Sequence, residues 1–338
     1  MRHLPGEGEA PAEPHVPRML RLGRSLALPN ASLMHVRLLG TAAGGGFPQW
    51  NCGCTNCTNV RSGELHALPR TQSCIAFSSD GKRWFLLNAS PDVARQIESF
   101  PPLWPQAQTR RTPIEGILAT NADLDHTLGL FVLREGGCLT IYAPPAIRES
   151  ISSSLGVDAV LSHYCGVRFV EPPADEQPLR YSDGTPSGLL FCAFAVPGKP
   201  PRYATRLPEK SSVHCVGYRI IDSVSGKSLV LLPDVATVDN TMMSELRKAN
   251  TILFDGTFWS DDEMSAMGVG AATASAMGHL PVGGESGSFR ILQSMPATRK
   301  IYVHINNTNP MLIDDSLERA EVEAAGVIVG YDGMQFEV

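Results

Sequence analysis

The sequence predicts an α/β domain with more strands than helices and with its chemistry gathered at strand ends. Three observations carry that expectation. Short apolar runs bounded by Gly, Pro, Asn or Asp recur from residue 35 to the C-terminus, whereas helical periodicity is confined to a few stretches. Several of the runs pass directly into Asp or His: Asp123 and Asp125 follow the run ending at Ala119, Asp234 follows Leu229–Leu232, Asp255 follows Ile252–Phe254, and His304 follows Ile301–Val303. Open α/β sheets bind ligands at such C-terminal strand ends, so one rim fed by separate strands is expected.

The elements follow in order. His35 to Leu39 reads as a strand running into Gly40-Thr-Ala-Ala-Gly-Gly-Gly46, whose glycines lack the GxGxxG spacing and the Lys of a phosphate loop; close backbone packing beside the site is the expected role. Ser73 to Ser78 and Arg83 to Asn88 form a hairpin turned at Asp80-Gly81. Ser90-Pro91-Asp92 opens a helix. A buried strand from Ile114 to Ala119 leads into the polar segment Thr120 to Gly129, and Leu128 to Leu133 begins a helix.

Further strands are expected at Cys138 to Tyr142, Val167 to Val170, Leu189 to Val196, Cys215 to Ile221, Ser228 to Leu232, Thr251 to Phe254, Lys300 to His304 and Val327 to Val329. Helices are expected near Pro145 to Leu155, Asn240 to Lys248 and Ser316 to Ala325. No repeat shows in the residue pattern, although the strand-rich halves around 35–180 and 186–338 invite a spatial relation.

Composition narrows the class. The 338 residues are 43% apolar and carry a net charge of −6, with no basic cluster beyond Arg110-Arg111, which argues against a nucleic-acid surface. No apolar run is long enough to span a bilayer. Residues 1–33 are rich in Pro, Arg and Glu without periodicity and are expected to be a disordered extension ahead of a single domain over 34–338. Eight cysteines show no secretory spacing, which fits a reducing cytoplasm.

Two metal sites are expected. Cys52, Cys54 and Cys57 form C-x-C-x-x-C, a spacing that brings three thiolates to one ion and, in a reducing compartment, favours structural zinc over a disulfide. The fourth ligand is open between His279 and His66. Asp125, His126 and His304 offer two imidazoles and one carboxylate, the set associated with non-haem Fe(II) oxygenases. The plainer reading is that Asp125 caps a helix and His126 is a surface histidine. The polar run Asn306-Asn307-Thr308-Asn309 suggests hydrogen bonds that hold His304 in place.

Gly40 to Cys52, Asn88-Ala-Ser-Pro-Asp92, Thr120 to Gly129, Asp255 to Met264, Met277-Gly-His-Leu280 and His304 to Pro310 together resemble the pyrroloquinoline quinone (PQQ) biosynthesis protein B (PqqB) family of the metallo-β-lactamase fold superfamily. The resemblance runs from about Met34 to Val338. It implies an αββα sandwich of two mixed sheets with helices outside and metal at one edge.

In the superfamily motif His-x-His-x-Asp-His, Asn121 and Asp123 stand here at the two leading His positions while Asp125 and His126 are retained, and no histidine follows Val196-Pro-Gly-Lys199. The resemblance therefore implies mononuclear iron chemistry rather than two-metal hydrolysis. The activity implied is hydroxylation of the tyrosine ring of a cross-linked glutamate–tyrosine diamino acid. Fe(II) on Asp125, His126 and His304 would activate O2, and Asp123, Asp234, Asp255 or His279 would move protons or bind substrate.

Other roles stay open: helix capping for Asp234 and Asp255, and zinc ligation for His279. Ala271 to Met277 lacks the basic residues expected in the family, and His214-Cys215 and Asp234 also depart from it. Two other functions compete, a phosphodiesterase-like metallohydrolase and a non-enzymatic carrier that hands on finished quinone for export. A homodimer is compatible with the sequence.

Overall fold

The computed structural model describes residues 33–106, 110–204, 213–297 and 299–338. The expected N-terminal extension therefore lies outside the described residues, apart from Leu33. From Leu33 onward the described residues form one compact unit.

Its strands in chain order are β1 (His35–Gly40), β2 (Cys74–Ser78), β3 (Trp84–Leu87), β4 (Ile114–Leu118), β5 (Leu139–Tyr142), β6 (Val167–Val170) and β7 (Gln177–Arg180). Then come β8 (Pro186–Val196), β9 (Cys215–Asp222), β10 (Ser228–Leu232), β11 (Thr251–Asp255), β12 (Arg299–Val303), β13 (Val327–Val329) and β14 (Gln335–Glu337). They build two seven-stranded sheets, ordered β14-β1-β2-β3-β4-β5-β6 and β13-β12-β11-β10-β9-β8-β7.

Both sheets are mixed in the same way. Read from β14 the first pairs antiparallel three times and then parallel three times, and read from β7 the second does likewise. The two halves are thus related in space, with β14 at the C-terminus completing the N-terminal half.

Residue alternation explains why the sheets stack. In β10 and β11, Leu229, Leu231 and Leu253 point into a core shared with β1 to β5, while Val230, Leu232, Ile252 and Phe254 point to the other side, under Met242, Leu246, Phe289 and Leu292 of the outer helices. A strand apolar on both faces must be covered on both, and the helices supply the second cover. Tyr218, fully buried on β9, ties the sheets together: its hydroxyl donates to the Ala119 carbonyl at 2.9 Å, at the end of β4.

Differences from expectation have local causes. β7 and β14 are edge strands whose mostly exposed residues show little apolar pattern, and Pro178 is tolerated in β7 because an edge strand need not donate on both sides. The helix expected from Pro145 to Leu155 is α-helical only over Pro145–Glu149 and widens to π geometry over Ser150–Ser154, where Ser150 Oγ bonds back to the Ala146 carbonyl. The one expected near Leu128 is two single turns, Leu124–Thr127 and Gly129–Val132. Among the described residues no helix is long and apolar enough to cross a membrane.

Candidate metal centre

The parallel strands end at one rim. The loop after β4 carries Asp123 and Asp125, and the turn Leu124–Thr127 carries His126. Asp234 follows β10, Asp255 ends β11, and His304 leaves β12 in a left-handed conformation with φ 57°. Asn88, beyond β3, has φ 61°. A non-glycine residue in this region is uncommon and persists only where its surroundings hold it. The Asn88 amide accepts from the Thr120 amide at 3.0 Å and donates to Thr120 Oγ1 at 2.9 Å, and the Ala89 amide donates to the His126 carbonyl at 2.8 Å. Thus the Asn88-to-Asp92 segment braces the loop that carries Asp125 and His126. Gly129 admits this bracing, because a Cβ there would stand 2.3 Å from the Ser90 carbonyl oxygen.

At the rim Asp125 Oδ2 lies 3.3 Å from His304 Nε2 and 3.8 Å from His126 Nε2. His126 is buried and its Nε2 has no hydrogen-bond partner. Nδ1 of the same ring is engaged by Asn121 Oδ1 at 2.8 Å, which places the proton on Nδ1 and leaves Nε2 as a bare donor pair. His304 has its Nδ1 on Thr257 Oγ1 at 2.8 Å and its Nε2 against Asp125 Oδ2, and His279 has its Nδ1 on Asp255 Oδ2 at 2.8 Å. An orphaned buried nitrogen costs free energy unless something fills its lone pair, and a divalent cation fits this donor set. Asp125 is therefore no helix cap, and His126 is no surface histidine.

The electrostatics agree. Asp234 and Asp125 stand near enough to Asp123 for like-charge repulsion to disfavour its ionised form. Burial, reinforced by Asp234 and Asp125, pushes the Asp123 carboxyl up to about 6. Burial would lower His304, but Asp234 and Asp125 outweigh it and push the imidazole up to about 10. Burial would raise Asp125, but His126 and His304 outweigh it and hold the carboxyl well below the usual carboxylate range.

The remaining candidates fall into place around this trio. Asp234 lies 3.6 Å from His304 Nε2, and one oxygen of Asp234, one ring nitrogen of His279 and one of His304 come within 4.8 Å of one another, a second group of ligand geometry that shares His304. Asp255 is fully buried with both oxygens occupied, by the amides of Val235 and Thr257, the Thr257 hydroxyl and His279. It has no oxygen free for substrate and acts by orienting His279. Asn121 is spent on orientation too, because its Nδ2 donates to Asp234 Oδ2 at 3.0 Å. Gly44 of the glycine loop faces Asp125, where a Cβ would stand 3.5 Å from the carboxyl carbon.

Cys52, Cys54 and Cys57 are free thiols whose sulfurs lie within 4.8 Å of one another. Neither expected fourth ligand joins them: His279 belongs to the rim, and the His66 side chain is exposed. Asn307 is there instead. The sequence also assigns the polar run after His304 to holding that ring, but its side chains hold the loop: Asn309 Nδ2 donates to the Gly256 carbonyl at 2.9 Å and Asn306 Nδ2 to Thr308. The group that touches the ring is Thr257, which lies in the Asp255-to-Met264 stretch of the resemblance but has no ligand-type spacing of its own. Tyr203 is also missed; its hydroxyl donates to the Ala122 carbonyl beside Asp123.

Comparison with known proteins agrees with this architecture. Residues 83–305 match the beta-lactamase superfamily domain. Coenzyme PQQ synthesis protein B of Cupriavidus necator is 42% identical over 89% of this chain and 98% of its own. The crystal structure of Zn(2+)-bound PqqB from Methylobacterium extorquens superposes with a TM-score of 0.80 at 40% identity, covering 90% of this chain and all of that one (100%). A diphosphatase from the PhnP family, 17% identical, shares the fold with a TM-score of 0.61 over 90% of this chain and 97% of its own. The chain belongs to the coenzyme PQQ synthesis protein B family, within the beta-lactamase superfamily.

Proposed function

We propose that the protein acts in PQQ biosynthesis as an Fe(II)-dependent oxygenase that hydroxylates the tyrosine ring of a cross-linked glutamate–tyrosine diamino acid. The observation that carries this reading is the bare Nε2 of His126 facing Asp125 and His304, at a rim where Asn121 is spent on orienting its neighbours. Two imidazoles and one carboxylate leave the other faces of an ion free. Fe(II) bound there would supply the activation of O2.

The chain's own residues do the rest. Asn121 and Thr257 fix the rings of His126 and His304 so that each presents Nε2. Asp255 holds His279 in the same sense, which leaves His279 Nε2 to meet a phenol or an amine of the substrate. Asp123, pushed up to about 6, can take or give a proton near neutral pH at the open side. Asp234 keeps that side negative, which favours the amino groups of a diamino acid.

To test the reading, the metal-free protein is loaded with Fe(II) under anaerobic conditions and given the diamino acid, O2 and a two-electron reductant such as ascorbate, which reduces the second oxygen atom to water, with oxygen uptake and product mass followed. Substrate-dependent uptake and a product heavier by oxygen are expected. Unchanged uptake in Asp125→Ala and His304→Ala would remove the proposed site. The group formed by Asp234, His279 and His304 favours a second reading, a two-metal hydrolase. That reading predicts turnover of phosphodiesters without O2.

A further inference from the structure

The cysteine cluster and the Asp/His centre lie at opposite ends of one short loop. His304 leaves β12, and three residues later Asn307, buried, sends its amide into the cysteine cluster. Asn307 Nδ2 lies 3.1 Å from Cys52 Sγ and 3.4 Å from both Cys54 Sγ and Cys57 Sγ. An NH2 group has two hydrogens to share among three sulfurs, so the amide sits over the sulfur triangle rather than on any one of them. Turned by half a rotation, the same amide presents Oδ1 to an ion held by the thiolates. An ion would replace N–H groups shared among three sulfurs with one contact to Oδ1, so filling the cluster would change how firmly Asn307 is held.

The cysteine segment grips the loop a second time. Asn56, between Cys54 and Cys57 and itself buried, donates from Nδ2 to the carbonyls of Asn307, Thr308 and Asn309 at 3.2, 3.0 and 3.3 Å. Those three carbonyls can face one donor only if the loop is tightly curled. At its other end the loop is held by Thr257, whose hydroxyl meets both the ring and the carbonyl of His304 at 2.8 Å. His304, with φ 57°, lies between these anchors. A backbone in this region depends on its surroundings to stay there.

We propose that Asn307 is the fourth contact of the cysteine cluster and a positioning residue for His304, so that a metal ion bound by Cys52, Cys54 and Cys57 tightens metal binding at Asp125, His126 and His304. The dependence runs both ways, since a coupling free energy between two sites is reciprocal. This proposal rests on reading the Asp/His group as a metal centre; it does not require the oxygenase chemistry.

The test uses the metal-free full-length protein and Co(II) as probe ion, with thiolate-to-cobalt absorption reporting the cysteine cluster and competition with a chelator giving the affinity of the centre. Filling the cysteine cluster with Zn(II) is expected to tighten Co(II) at the centre about tenfold or more, within the range usual for coupled sites. In Asn307→Ala that gain is expected to shrink below about threefold, and in Asn307→Asp, which keeps an oxygen in place, to return.

A gain in Asn307→Ala equal to the parent's would overturn the proposal, and so would a centre in the parent that binds Co(II) equally well with the cluster empty. Should Asn307→Ala fail to fold, the parent decides alone, by the Co(II) affinity of the centre measured with the cluster empty and again with it filled by Zn(II). No second ion bound at all would sink the metal-centre reading itself, a different failure with a different signature.

Discussion

The two ligand groups of this protein are built by opposite means. Cys52, Cys54 and Cys57 lie within six consecutive residues on one loop and the first turn of the helix Thr55–Ser62, so local chain geometry gathers them. Asp125, His126 and His304 come from two sheets, with Asp125 and His304 179 residues apart, so only the finished sandwich gathers them. The difference teaches where each site's stability resides. A local site contributes to folding when filled, whereas a site assembled by the fold draws on folding and can be emptied without losing the scaffold.

That contrast breaks first if single substitutions do not separate the two sites. His304→Ala is expected to lower turnover by roughly a thousandfold or more and to lose one bound ion while thermal unfolding stays close to the parent's, as read by oxygen uptake, metal content and calorimetry. Cys54→Ser is expected to do the reverse to stability, losing the other ion and about 2–5 kcal/mol, in proportion to the loss of a structural metal. If Cys54→Ser unfolds no earlier than the parent, the cluster is not structural.

Smaller effects sharpen the comparison. Asn121→Ala leaves every proposed ligand in place but frees the His126 ring, and it should weaken metal at the centre about 10–100-fold while leaving the thiolate absorption of the cysteine cluster unchanged. Parent-like affinity in this variant would mean that the orientation of His126 is held elsewhere.

An effect of similar size is expected from pH. His304 is pushed up to about 10, so below that pH an incoming ion must displace its proton. Apparent affinity at the centre therefore rises with pH, by up to about tenfold per unit between pH 7 and 9, and flattens above about 10. An affinity flat across pH 7 to 9 would show that His304 is already unprotonated.

The same contrast explains what could be read from the sequence. C-x-C-x-x-C is visible because its ligands are sequence neighbours, and the strand-end acids and histidines are visible because β4, β10, β11 and β12 are apolar runs that stop abruptly at a polar residue. What was hidden depends on folded geometry. Thr257 gives no pattern until β11 and β12 lie side by side, and Asn307 looks like one polar residue among four until the cysteine loop is packed on it. The chemistry of His279 suits the cysteine cluster as well as the rim, and only the fold, which sets it against Asp255, decides between them. Edge strands such as β7 and β14 were lost for the converse reason, since exposure removes the alternation that marks a strand.

The position of one ion decides whether Asp125, His126 and His304 form a single metal centre. Crystals grown without oxygen and loaded with Fe(II) can be measured at the iron absorption edge for anomalous scattering. A single peak within bonding distance of Asp125 Oδ2, His126 Nε2 and His304 Nε2 is the result predicted. A pair of peaks about 3.5–4 Å apart, the spacing of two-metal hydrolases, or no peak touching His126, would contradict it.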